Sequence, residues 1–189
     1  MTQAPKHHTL WRSVESIPQP LVTDRFLLEP LCAAHAEVDF DALMSCRLRL
    51  REELQWGEWP PEDFTLELNR DDLRRHHNEF LRGEAFAYTV LNLDGTGCLG
   101  CIYLERCLEI DGAQLAYWVV DDAITMESLL VNTVLHWAHE EWELTKVLLP
   151  LRSANLRGLE IVKAYHLPAW IPPADSVLVD HICFLSTAS

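Results

Sequence analysis

The sequence has no apolar run approaching the roughly 18 residues of a membrane-spanning helix, which excludes a helical membrane protein. Its first twenty residues, "MTQAPKHHTLWRSVESIPQP", lack the apolar segment of a secretion signal, so a cytoplasmic location is expected. Positive charge is scarce: 15 Lys and Arg stand against 29 Asp and Glu, a net charge of −14. No basic face is visible to hold phosphates, so nucleic acid is not an expected partner, nor is a membrane. The same imbalance favours a cationic substrate over an anionic one.

Several chemical signatures are missing too. There is no nucleophile elbow, no phosphate-binding lysine loop and no dinucleotide glycine pattern. Internal repeats and low-complexity segments are absent. The six cysteines form no export-type framework, and in apolar surroundings such as "HICFL" they read as reduced, partly buried thiols. "CLGC" places Cys98 and Cys101 three apart, but a second cysteine pair or a matching histidine pair is lacking. On a strand, an odd offset also sends the two side chains to opposite faces. His136, His139 and Glu140 share a helix without a third ligand at a diagnostic spacing, and no metal is expected.

What is present suits one soluble domain. Apolar residues make up 49% of the 189 and charged residues 23%, enough for a sizeable core. Residues 1–20, with prolines at 5, 18 and 20, read as an irregular lead-in, and 21–189 as a single domain. "LVTDRFLLEPL" reads as a strand closed by Pro30. A helix is predicted over 32–54, where Ala36, Phe40, Leu43 and Met44 recur at helical spacing. Gly57, Pro60 and Pro61 make 55–64 a loop, after which Thr65 or Asn69 starts a helix that Gly83 stops.

Two β-rich runs then flank "NLDGTG", where Asp94-Gly95 supplies the positive φ of a hairpin. "AQLAYWVV" is a third strand, followed by a helix with Leu130, Val134, Trp137 and Ala138 on one face. "KVLLPLR", "NLRGLEIVKAYHL" and "SVLVDHICFL" read as strand, helix and final strand. The order is strand, two helices, three strands, helix, strand, helix, strand. This is an α/β chain with a mixed sheet, in which a meander leads into a strand–helix–strand crossover.

That order, with "LVTDRFLLEPL", "AFAYTVLNLDGTGCLGCIYLER", "AQLAYWVV" and "KVLLPLRSANLRGLEIVKAYHL", resembles the GNAT acyltransferase superfamily, in particular its RimJ/RimL-like protein N-acetyltransferases. The likeness spans roughly residues 21–185. It implies transfer of an acetyl group from acetyl-CoA to an amine, either a protein N-terminus or a small molecule. In such a fold the fourth strand splays from the late strand, and the thioester arm lies in the opening. The resemblance puts Val119 and Val120 at the splayed end, Asn155 at the family's usual asparagine, and the pyrophosphate near Asp122–Ser128.

The turn "DDAITMES" departs from that family, which carries glycines here so that backbone N–H groups can close on phosphate. Asp121, Asp122 and Glu127 would face the pyrophosphate, and each like-charge contact near 4 Å costs on the order of 1 kcal/mol even in water. Two readings follow. In one, Asp122 and Thr125 cap the helix, Glu127 meets its dipole, and the chain is a degenerate domain that binds no coenzyme A and serves as an interaction module. In the other the cofactor is kept, with hydroxyls from Thr125 and Ser128 and positive charge from Arg157, Arg152 and Lys163.

Seven residues after Asn155 the family often has a tyrosine that protonates the leaving thiolate; here that position is Val162, and Tyr165 is the substitute. Trp56 and Trp59 would line an acceptor pocket, with Glu58 or Glu62 meeting the cationic amine. Glu105 is the expected general base, with Glu84, beside the substrate, as the alternative base. Exposed strand edges and the aromatic loop favour a homodimer.

Overall fold

Residues 11–188 are described by a computed structural model. Residues 1–10, half of the predicted lead-in, lie outside them. Strand β1 is Leu27–Pro30, shorter than the sequence suggested, with Val22 bridging to Leu27. The predicted helix over 32–54 is broken at Cys46, whose φ of −121° and ψ of 15° leave the helical region. Two helices result, α1 over Ala36–Ser45 and α2 over Arg47–Leu54, with Gln55 left-handed at its end. The apolar spacing is helical throughout, so the break leaves no trace in the pattern.

Helix α3, Leu66–Leu81, starts where Thr65 accepts from the Leu68 N–H at 3.2 Å, and Gly83 closes it with φ of +67°. Strands β2 (Ala85–Leu91) and β3 (Cys98–Cys107) form the predicted hairpin, with Gly95 at φ +72°. Strand β4, Gly112–Val119, runs into a three-ten turn over Asp121–Met126 before α4, Glu127–Glu140. Strand β5 is Lys146–Leu151 and α5 is Leu156–Ala164. A two-residue strand absent from the sequence reading, β6 at Ala169–Trp170, follows; the final strand, β7, is Ile182–Thr187. Its predicted first half, 176–181, is turn.

The sheet order is β1-β2-β3-β4-β5-β7-β6, with β4 and β5 parallel and the other neighbours antiparallel. Helices cover both faces. Asp39 of α1 meets Cys101 on one face, while Trp137 of α4 lies edge-on to Tyr88, which pairs with Ile102, on the other. Trp137, Trp142, Phe80, Phe86 and Tyr88 make an aromatic core with centroids 4.9–5.6 Å apart. Trp11 from the lead-in stacks on Trp142, and its N–H bonds Gly83, so the packed unit includes residues before 21.

Strand β3 carries a bulge that the sequence reading missed. Val90 pairs with Gly100 but Leu91 pairs with Cys98, leaving Leu99 as an extra residue. Leu99 O accepts from the Val120 N–H at 2.9 Å, so the bulge anchors the end of β4. It also cancels the odd offset between Cys98 and Cys101. Both thiols reach Asp39 on one face, contrary to the opposite-face expectation.

Candidate active site

Strands β4 and β5 pair at only two positions, Ala113 with Val147 and Gln114 with Leu148, and then diverge. Beyond Gln114 the β4 edge facing β5 borders a cleft of about 440 Å³, open mouth included. Glu53, Trp56, Ala116, Tyr117, Arg152 and Asn155 are among its walls. A continuation toward Val119 is lined by Arg49, Glu127 and Arg157. This is the splay that the resemblance implied.

Charge in the cleft is organised as a chain. Arg49 donates to Glu53 at 2.7 Å, to Asp121 at 2.6 Å, and to the carbonyl of Val119. Arg157 meets Glu53 at 2.9 Å and Glu127 at 3.1 Å. Glu127, only 3% exposed, also accepts from Tyr117 Oη at 3.1 Å. Burial, then the Glu127 charge, pushes the Tyr117 phenol well above its usual range, so it stays neutral.

This chain explains the acidic turn. Asp121 holds Arg49 from α2, and Glu127 holds Arg157 from α5 and Tyr117 from β4. The capping reading is corrected: among the described residues no side chain caps the three-ten turn at Val120 or α4 at Met126. Two turn amides are already used, Ala123 N–H by Val120 O and Glu127 N–H by Ile124 O. Carboxylates here position cations.

The predicted site residues divide. Val119, Asn155, Arg157 and Trp56 line the cleft. Val120 follows them at the end of β4, tied to Leu99 O. Asn155, 5% exposed, caps α5 by accepting from the Gly158 N–H at 2.9 Å. Trp59 packs on Trp56 at 5.4 Å, and Trp56 stands edge-on to Tyr103 at 5.6 Å. Tyr103 accepts from Trp118 Nε1 at 3.2 Å, which makes a continuous aromatic wall beside the splay.

The remaining residues are held by other contacts or stand at the surface. Tyr165 bonds Ser128 at Oγ and at the carbonyl, at 3.0 and 3.1 Å, so this pair is a tie between α5 and α4. Thr125 is exposed on the three-ten turn, and Lys163 is exposed near the end of α5. Arg152 lines the cleft and reaches Asp180 O at 3.3 Å. Glu84 is gripped by Arg82 at 2.8 Å before β2.

Glu105 pairs in register with Gln114, the last β4 residue still joined to β5. It therefore stands at the base of the splay, whereas the open end of β3 is at Gly100. On its strand it shares a face with Tyr103 of the aromatic wall.

Arg49, Glu53 and Tyr117 escaped the sequence reading. Arg49 and Glu53 sit four apart, a helical ion-pair spacing visible in "RLREEL". Nothing local showed that this pair faced Asp121 and Arg157.

No family model and no curated protein sequence matches the chain. Solved structures do match in fold. The ribosomal-protein-S5-alanine acetyltransferase from Vibrio fischeri is 13% identical at a TM-score of 0.69, covering 89% of this chain and 96% of that one. RimL, a ribosomal alpha-N-protein acetyltransferase in complex with coenzyme A, is 16% identical at 0.67, covering 89% and 97%. The microcin C7 self-immunity acetyltransferase MccE, in complex with acetyl-CoA and AMP, is 9% identical at 0.71, covering 87% and 93%. The chain thus has the GNAT acyltransferase fold, and RimL/RimJ-type acetyltransferases are among its structural neighbours.

Proposed function

We propose that this chain is a cytoplasmic N-acetyltransferase that moves the acetyl group of acetyl-CoA to an amine by direct attack. The observation that carries the reading is the two-pair contact between β4 and β5, beyond which the strands part and leave a cleft. A thioester arm is long, flexible and amide-bearing, and the edge of a splayed strand offers it backbone partners. Structural neighbours whose complexes hold coenzyme A or acetyl-CoA support the same ligand.

The amine lone pair forms the new C–N bond while the C–S bond breaks and the thiolate leaves. Glu105, directly or through water, takes the ammonium proton before attack so that the lone pair is free, and the second nitrogen proton passes to water as the amide forms. Tyr117 is held neutral by burial and Glu127 and is a poor acid, so the thiolate takes its proton from water. Tyr165 is occupied by Ser128 and is not the donor in this reading. Val119, Val120, Thr125, Ser128 and Asn155 border the path of the acyl donor.

Arg49 and Arg157 supply the cations that a glycine-free, acidic turn needs. Each exchanges part of its carboxylate contact for phosphate oxygen, which both match in fork geometry. The acceptor enters over Trp56, Trp59 and Tyr103, where aromatic faces and a net charge of −14 favour a protonated amine. A protein N-terminus or a small amine meets that requirement.

Thermal unfolding with and without acetyl-CoA tests the reading. A ligand at about 100 times its Kd stabilises by about 2.7 kcal/mol. At roughly 2–4 °C per kcal/mol for a chain this size, the midpoint rises by about 5–11 °C. An unmoved midpoint at millimolar acetyl-CoA would leave a domain that has lost its donor site and acts as an interaction module. Where the midpoint moves, release of free coenzyme A thiol across a panel of peptides and small amines identifies the acceptor.

A further inference from the structure

We propose that Asp39, Cys98 and Cys101 form a binding site for one zinc ion that ties α1 to the bulge of β3. The inference is independent of acetyl transfer and of the cleft.

All three side chains are buried, and their ligating atoms lie within 4.8 Å of one another. Asp39 Oδ1 is 3.2 Å from Cys101 Sγ and 4.0 Å from Cys98 Sγ. Tetrahedral zinc, with Zn–S near 2.3 Å and Zn–O near 2.0–2.2 Å, sets S···O at about 3.5 Å and S···S at about 3.8 Å. The two S···O separations bracket the first value and the sulfurs lie within 4.8 Å of each other, so an ion enters with shifts of about half an ångström to one ångström. Three protein ligands leave the fourth position of the ion to water.

The surroundings suit a metal better than a free carboxylate. Asp39 is 3% exposed, and its described hydrogen-bond partners are neutral: the Asn69 amide at 2.9 Å and the two thiols. A buried carboxylate without a cation is costly. A divalent ion reverses this: it binds the carboxylate and two thiolates and expels the thiol protons to solvent. Asn69 Nδ2, held also to Ala36 O at 3.1 Å, orients the carboxylate from behind.

The bulge is what makes the site. Leu99 is the extra residue that turns Cys98 and Cys101 to the same side, and its carbonyl holds Val120. An ion across α1 and β3 would therefore stiffen the end of β4.

Titration of the reduced protein with cobalt(II), a spectroscopic stand-in for zinc, tests this. The expected result is a thiolate-to-cobalt charge-transfer band that saturates at one equivalent and is removed by zinc. Cys98→Ser/Cys101→Ser abolishes the band, while Cys183→Ser leaves it unchanged. Asp39→Asn preserves the side-chain shape and weakens binding at least tenfold, giving a second variant if the double serine protein does not fold. Absence of the band in the unaltered protein overturns the proposal by itself. So does a band that survives loss of both cysteines in a folded variant.

Discussion

The guanidinium of Arg157 in α5 lies 2.9 Å from Glu53 Oε1 in α2, joining residues 104 positions apart beside the splay. Arg157 also meets Glu127, whose side chain is only 4% exposed. Breaking a buried ion pair from one side costs about 3–5 kcal/mol, because the remaining charge is stranded. Arg157 is itself 29% exposed, so solvent screens part of the effect. Arg157→Ala is expected to lose about 2 kcal/mol in urea unfolding, and Arg157→Ala/Glu127→Gln to recover part of it. A double variant no more stable than the single one would show that Glu127 is not the stranded charge.

Gly100 and Gly95 separate two reasons for glycine. A Cβ at Gly100 would lie 2.0 Å from the Trp118 carbonyl oxygen, at φ +153°. At Gly95, φ +72°, nothing lies within 4 Å, so only backbone strain opposes a side chain. Gly95→Ala should cost about 1 kcal/mol, and Gly100→Ala clearly more, because backbone must also move. Equal losses in chemical denaturation would argue against the close approach of β3 and β4.

Acid sensitivity should trace in part to Glu79. Burial alone raises its carboxyl, but His76 and Arg75 outweigh burial and hold it at about 2. Unfolded, a glutamate titrates near about 4.3. A depressed folded pKa contributes stability above the unfolded value, and that contribution is lost as pH falls from about 4.3 toward 2. Glu79→Gln should therefore lose less urea stability than the parent between about pH 5 and pH 3. Parallel profiles would refute the assignment.

Trp56 gives a kinetic prediction resting on the proposed acetyl transfer. It lines the cleft and stands edge-on to Tyr103. Loss of an apolar contact in a substrate pocket is worth roughly 10–200-fold. Trp56→Ala should raise the KM for the amine at least tenfold while the thermal shift with acetyl-CoA persists. Loss of that shift with an unchanged amine KM would place Trp56 on the donor side instead.

Much of the architecture was legible locally. Thr65 at the start of α3, Gly83 at its end and Asp94-Gly95 in the hairpin express backbone preferences of a few residues. The β-rich runs of β2–β4 mark strands, and helical spacing in α4 and α5 records which face each helix buries. The break at Cys46 and the two-residue β6 were not legible, since neither alters an apolar pattern or requires a breaker residue. The bulge at Leu99 was hidden for a related reason: register is a property of two strands, and one extra residue reverses every inference from parity.

By itself the sequence determined the element order apart from the split at Cys46 and the short β6, the acidity that disfavours nucleic acid, and the placement of Asn155 at the start of α5. It also marked the turn after β4 as unsuited to phosphate, because glycine-free acidic turns offer no bare N–H cradle. Only the tertiary structure decided how those acids are used. Asp121 and Glu127 face Arg49 and Arg157, drawn from helices 72 and 30 residues away along the chain. Folding likewise gathered Asp39, Cys98 and Cys101 into one buried cluster. Charge pairing and ligand geometry act through space over a few ångströms, and chain separation carries no record of them.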